Sequence, residues 1–170
     1  MRVTGYQLRE AVKQQVLQRD RVARAFPGSL KAFKDEPPEE SPQQLGSTLV
    51  SAENAIARLQ TVQMRYNLSV RVTVGGETMP LAAAVKMLGG VQRAEKMWRA
   101  AATPKTERLY GSDERTSDTV VKKPTISAKE AQEQVITMAR QASALRQAIA
   151  VANATAIDIE DKDLDASLFG

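Results

Sequence analysis

The chain has 170 residues, of which 42% are apolar and 26% charged, and it contains neither cysteine nor histidine. These fractions are those of an ordinary globular chain, and the length allows a substantial core. The missing residue types exclude disulfides, thiolate nucleophiles, zinc or iron–sulfur ligation by cysteine sulfur, metal ligation by imidazole, and every catalytic set within one chain that needs a histidine base.

The first helix is predicted over residues 5–26, where apolar side chains recur at roughly helical spacing. The Pro27-Gly28 pair is expected to end it, because proline lacks the backbone donor that continues a helix. Residues 34–42 combine prolines with acidic side chains, so an acidic Pro-rich loop is predicted there.

The second helix is predicted over residues 43–67, with one face built on a heptad pattern. The residues of this pattern follow each other at alternating spacings of four and three, and Gln63 is the polar interruption. Such a narrow stripe favours long antiparallel helices or a coiled coil. The pattern consists of Leu45, Leu49, Ala52, Ile56, Leu59, Gln63 and Tyr66.

A short β segment is predicted next, because Val70, Val72 and Val74 alternate with polar residues and precede a Gly-Gly turn. A small hairpin is therefore expected near residues 69–79. A two-stranded hairpin is marginal in isolation and must lean on helices or on another subunit. The three valines are candidate edge-strand residues, and the pattern leaves open whether they serve another subunit or an intramolecular hairpin.

The third helix is predicted to begin near Pro80 and to end before Pro104, because proline is favoured in the first helical turn and disfavoured in a helix interior. A long polar loop is predicted over residues 103–126. The expected buried stripe of the helix consists of Leu81, Val85, Leu88, Val91 and Trp98.

The fourth helix has the clearest start signal, because Ser127 followed by Glu130 matches a capping box. A second heptad pattern runs behind this cap, and several of its members are small enough to permit close helix approach. The pattern consists of Ala131, Val135, Met138, Ala142, Leu145, Ile149 and Ala152.

Residues 154–170 are predicted to form an acidic tail. Its carboxylates do not match a calcium-binding loop, because Ala166 stands at the sixth position counted from Asp161, where that loop requires glycine. The apolar tip at Leu168 and Phe169 resembles the short C-terminal peptides that bind the bacterial sliding clamp. We expect these two residues to dock on a protein partner, on a neighbouring subunit or on the body of the chain itself.

Several segments of the chain, taken in order, are similar to those of a known protein family. They include a helix that closes on Asn67, a Gly-Gly turn that leads through Thr78 into a helix, and a last helix that closes on Asn153. On these residues the chain resembles the septicolysin-like family of small, mostly helical bacterial proteins. The resemblance implies an elongated helical fold, and the family name suggests lysis of membranes. The segments are residues 8–11, 18–20, 36–42, 56–67, 75–84 and 140–153.

The charge distribution suggests one further kind of partner. The net charge is +4 although the tail is acidic, so the body of the chain is basic and could attract nucleic acid. Only 4% of the residues are aromatic, which argues against binding single strands by base stacking. No apolar run has the length of a membrane span or the form of a signal peptide, so a cytoplasmic location, or one within a phage particle, is expected.

The sequence therefore predicts a mainly α fold of about four long antiparallel helices with one small hairpin. We expect a single helical domain over residues 1–153, with residues 154–170 as its tail. The predicted function is that of a non-catalytic structural protein acting as a homo-oligomer, for example in a bacterial or phage assembly, without cofactor or metal. A membrane-active protein and a nucleic-acid-binding protein are the alternatives. The heptads leave open whether their residues pack within or between subunits; these residues are Leu45, Leu49, Ile56, Leu59, Val135, Met138, Leu145 and Ile149.

Overall fold

The fold is mainly helical, with four helices and a small β-hairpin, which confirms the predicted fold class. The computed structural model describes residues 1–31, 39–103, 125–160 and 166–169, so most of the two predicted loops lies outside the described residues. No helix in this described part is long and apolar enough to cross a membrane. The elements are β1 (Arg2–Thr4), α1 (Gly5–Ser29), α2 (Pro42–Ser69), β2 (Arg71–Val74), β3 (Glu77–Pro80), α3 (Leu81–Ala102), α4 (Ala128–Ala154), β4 (Ala156–Asp158) and a C-terminal 3-10 turn (Ala166–Phe169).

The chain divides into two compact units. The first unit joins Met1–Ala83 to Ala148–Gly170, and it contains α1, α2, the hairpin and the last turns of α4. The second unit is Ala84–Gln147, which contains most of α3 and α4. The division falls inside two helices, whereas the sequence predicted one helical domain followed by a tail. Both ends of the chain thus belong to the first unit.

Helix α1 begins at a capping box and packs against α2. The Gln7 backbone N–H donates to Thr4 Oγ1 at 3.2 Å, and the Thr4 N–H donates to Gln7 Oε1 at 2.9 Å. The helix continues through Pro27 to Ser29 and does not stop at the Pro-Gly pair. Pro27 has no N–H to donate to the carbonyl of Ala23, so the helix continues past it with one backbone bond fewer.

Helix α2 is the central element of the first unit, and a second capping box starts it. Ser41 Oγ accepts from the Gln44 N–H at 3.2 Å, and Pro42 occupies the first turn. The predicted heptad face is buried except at two positions, since Leu49 is half-buried and Val62 replaces Gln63 in the interior. We call this buried face of α2 the inner seam. It consists of Leu45, Ala52, Ile56, Leu59, Val62 and Tyr66.

The hairpin forms within one chain, with Val72 opposite Met79 and Val74 opposite Glu77. Gly75 and Gly76 have φ angles of 62° and 88°, and two left-handed residues are what a two-residue turn between twisted strands requires. Val70 and Val72 are buried and Val74 is half-buried. Of the two alternatives for these valines, pairing with another subunit or an intramolecular hairpin, the structure shows the hairpin.

A second small sheet joins the two ends of the described chain, and the sequence did not predict it. β1 pairs antiparallel with β4, with Val3 opposite Ile157. The pairing extends to Met1 and Ile159, which exchange hydrogen bonds of 3.1 and 2.9 Å. Val3 is completely buried, so the predicted acidic tail begins as an ordered strand that covers part of the core. Strands of three residues are too short to show a period-two pattern, which explains why they were missed.

In the second unit, the capping box predicted for α4 is present. The Glu130 N–H donates to Ser127 Oγ at 3.2 Å, and the Ser127 N–H donates to Glu130 Oε2 at 2.9 Å. The Ser127 hydroxyl also donates to Glu130 Oε2 at 2.7 Å, and this bond, together with the one from the Ser127 N–H, lowers the pKa of the Glu130 carboxyl. Along α3 the predicted stripe is buried at Leu81 and Val91 and half-buried at Leu88 and Trp98, but Val85 is exposed and Ala84 is buried in its place. The buried residues of the second unit are Ala84, Val91, Ala131, Val135, Ala142 and Leu145.

Candidate functional site

The predicted seam residues lie mainly in the interior of the chain. Leu49 and Met138 are half-buried, and the other six are buried. Their burial within a single chain means that they pack inside the subunit and offer a second copy little surface. A contact with another copy must therefore use other residues. The six buried residues are Leu45, Ile56, Leu59, Val135, Leu145 and Ile149.

The opposite face of α2 carries a second heptad pattern, which the sequence analysis missed. Its members again follow each other at spacings of four and three, but all of them are exposed. At 3.6 residues per turn, Val50 and Leu59 point in opposite directions, so the two patterns lie on opposite sides of the helix. We call the exposed pattern the outer seam. It consists of Val50, Asn54, Ala57, Thr61, Met64 and Leu68.

The outer seam contains no charged residue. Its three large apolar side chains are well exposed, with 60% of Val50, 62% of Met64 and 59% of Leu68 accessible to solvent. The Thr61 hydroxyl donates to the Ala57 carbonyl at 2.9 Å, so its hydrogen is already satisfied within the helix. Covering this face would bury apolar surface, which is favourable. The side-chain amide of Asn54 would then need a hydrogen-bond partner in place of water.

Charged residues border the outer seam on both sides. Glu53 lies on one side, and its Oε1 is 3.8 Å from Arg19 Nε on α1. That pair is loose, because Arg19 makes a closer contact of 2.7 Å with Asp20. Arg58 lies on the other side and forms no ion pair with another described residue. An acid and a base thus flank an uncharged stripe.

The C-terminal 3-10 turn reaches the first residues of the outer seam. A cavity of about 490 Å³ is lined by Leu168 together with α2 residues that include Val50, Asn54 and Arg58. The turn also contacts α1, and Leu168 and Phe169 are both half-buried. The turn that carries the two predicted docking residues therefore lies on the body of its own chain, which was one of the three expected docking partners.

A buried polar cluster closes the other end of the first unit. The Tyr66 hydroxyl lies 2.8 Å from the Ala152 carbonyl and 2.7 Å from that of Thr155, so it can donate to either. Gly5 is in close contact with Tyr66 and with the buried side chain of Asn153. Burial raises the pKa of Tyr66, which keeps its hydroxyl protonated at neutral pH. The cluster joins the start of α1 to the C-terminal ends of α2 and α4.

A second cavity, of about 260 Å³, lies beside this cluster. Tyr66 and Ser69 line it from α2, and Asp158 and Glu160 line it from β4 and the residues after it. Within residues 1–31, 39–103, 125–160 and 166–169, no group of three or more acidic side chains could hold a metal ion. The outer seam, with three large apolar side chains that are each more than half exposed, is our candidate functional site.

No protein-family model and no curated protein matches the chain. One solved structure is similar, that of a functionally unknown conserved protein from Corynebacterium diphtheriae, with a TM-score of 0.65 and 19% sequence identity. The match covers 93% of this chain and 100% of the other. At this identity the likeness shows a shared fold alone, and the resemblance to the septicolysin-like family stays a prediction.

Proposed function

We propose that the protein is a non-catalytic structural subunit that acts as a homo-oligomer, and that the outer seam of α2 forms its subunit contact as a parallel two-stranded coiled coil. The observation that carries this proposal is the strict four-three spacing of six exposed, uncharged residues from Val50 to Leu68. A helix with one apolar face needs one partner, and a helix with two such faces needs a second. In α2 the inner seam already has its partner inside the chain.

The heptad positions favour two parallel strands. The spacing places Asn54, Thr61 and Leu68 at a positions, and Val50, Ala57 and Met64 at d positions. A single asparagine at an a position is a known device for fixing register and strand number, because the two amides pair with each other across the axis.

The flanking charges favour the same orientation. In a parallel pair Glu53, at a g position, faces Arg58 of the other copy at the following e position, which makes an attractive pair. In an antiparallel pair the e positions of one copy would face the e positions of the other. Arg58 and Arg65 are both at e positions. Like charges would then oppose each other. The charges are therefore complementary to a second parallel copy.

The contact is expected to be weak and dependent on concentration. The outer seam is roughly 27 Å long at a rise of about 1.5 Å per residue, and it offers few large apolar side chains. Light scattering behind size-exclusion chromatography should therefore show a mass that rises with loading concentration from 18.6 kDa towards twice that value. A mass that stays at 18.6 kDa up to millimolar protein would contradict the proposal.

Replacing Met64 with aspartate should weaken this association by about tenfold or more, because a parallel pair would place two carboxylates next to each other in the seam. The fold should be unaffected, because Met64 is exposed. Met97 on α3 is 74% exposed and provides the matched control, since Met97→Asp adds the same charge on a different helix. Equal dissociation constants for the two variants, measured by sedimentation equilibrium, would exclude the outer seam as the contact.

A further inference from the structure

We propose that the C-terminal 3-10 turn caps the outer seam within its own chain and thereby limits self-association. This inference rests on the proposed function, because it concerns the regulation of the same surface. The turn and a second copy would use the same residues. Leu168 lines one cavity with Val50 and Asn54, which are the first two members of the outer seam.

The turn is held in place from two directions. It contacts α1, and upstream of it β4 is fixed by its pairing with β1. The turn therefore belongs to the same compact unit as α2, and its local concentration at the outer seam is high. An intramolecular contact of this kind can compete with a weak intermolecular one.

The contact is also incomplete, which makes it reversible. Leu168 and Phe169 are only half-buried, and 60% of Val50 remains accessible beside them. Releasing a half-buried apolar side chain exposes little additional apolar surface to water, so the free-energy cost of release is small. The turn thus lies beside the N-terminal part of the outer seam, whereas Met64 and Leu68 are not among the residues that line the shared cavity.

The expected consequence is that each subunit must release its turn before a complete parallel pair can form. The apparent dissociation constant of the dimer is then higher than that of uncapped subunits, and it rises with the fraction of subunits that are capped. A Leu168→Asp variant, which replaces the apolar side chain facing Val50 across their shared cavity with a charged one, should lower this constant by about three- to tenfold. Leu17 on α1 is 50% exposed, and Leu17→Asp is the matched control that should leave the constant unchanged.

A thiol-labelling experiment tests the cap without requiring a dimer. The chain has no cysteine, so Ser51→Cys introduces a single thiol into the wall of the cavity that Leu168 lines. In a Met64→Asp background, which is expected to be monomeric, adding Leu168→Asp should accelerate reaction of this thiol with a maleimide at least about twofold, while adding Leu17→Asp should not.

The outcomes separate the two proposals. If the native chain is monomeric at every concentration but Leu168→Asp accelerates labelling, the cap exists and the dimer does not, which overturns the proposed function. If the native chain dimerises while Leu168→Asp leaves both the dissociation constant and the labelling rate unchanged, the cap is overturned alone. A lower dissociation constant together with faster labelling supports both.

Discussion

Truncation of Leu59 to alanine is expected to lower the free energy of unfolding by about 2–5 kcal/mol. Leu59 is the centre of the inner seam and has 0% of its surface exposed. The loss combines the transfer free energy of the removed methyl groups with the cavity they leave, because close-packed neighbours relax only in part. Urea denaturation followed by circular dichroism would measure it.

The control for Leu59 is a leucine that the fold leaves in solvent. Leu17→Ala on α1 should change the free energy of unfolding by no more than about 0.5 kcal/mol. A loss for Leu59→Ala that is as small as the loss for Leu17→Ala would show that the inner seam is not the packed face of α2. The comparison also separates the two faces of this helix, because Leu59→Ala acts on folding whereas Met64→Asp is expected to act on association.

Gly5→Ala is expected to destabilise the protein by about 1–3 kcal/mol, although alanine is the better helix former. Gly5 is buried in the first turn of α1. A Cβ atom there would overlap Asn153 Oδ1 and lie 2.8 Å from Tyr66 Cε1. Neither neighbour is the free end of a flexible side chain, because Tyr66 is fixed by its hydroxyl and Asn153 is buried.

Gly46→Ala is the matched control, and its sign should be opposite. Gly46 lies inside α2, and a Cβ atom at this position would meet no atom within 4 Å. The substitution therefore removes backbone freedom from the unfolded chain without strain, and it should stabilise by about 0.5–1 kcal/mol. Thermal and urea unfolding of both variants would measure the difference. A gain in stability at both positions would mean that the Gly5, Tyr66 and Asn153 cluster is not closely packed.

Local signals predicted the local structure well. The hairpin followed from alternating valines and a Gly-Gly turn, and the start of α4 followed from Ser127 and Glu130. The capping boxes of α1 and α2 use glutamine at the third helical position, in Gln7 and Gln44, and the same search would have found them if it had admitted glutamine. These features depend on residues within a few positions of each other.

Features that depend on distant residues could not be predicted in the same way. β1 and β4 are three residues each and lie at opposite ends of the chain, so neither has a pattern of its own. A heptad pattern specifies a face but not what covers it, which is why the inner seam could equally have been a contact between subunits. The outer seam was overlooked because Asn54, Ala57 and Thr61 dilute its apolar character.

If two copies meet in parallel along the outer seam, their residues 54 lie side by side and can be joined by a disulfide. Asn54→Cys would be the single cysteine of the chain, and in a parallel, in-register pair it lies beside its own copy. A disulfide requires Cα atoms within about 7 Å, so mild oxidation reports this geometry. We predict that Asn54→Cys converts to a covalent dimer of twice 18.6 kDa at a rate that rises with protein concentration, and that a control Gln18→Cys on the exposed surface of α1 does not. Failure of Asn54→Cys to cross-link, or equal cross-linking at both positions, would contradict the account.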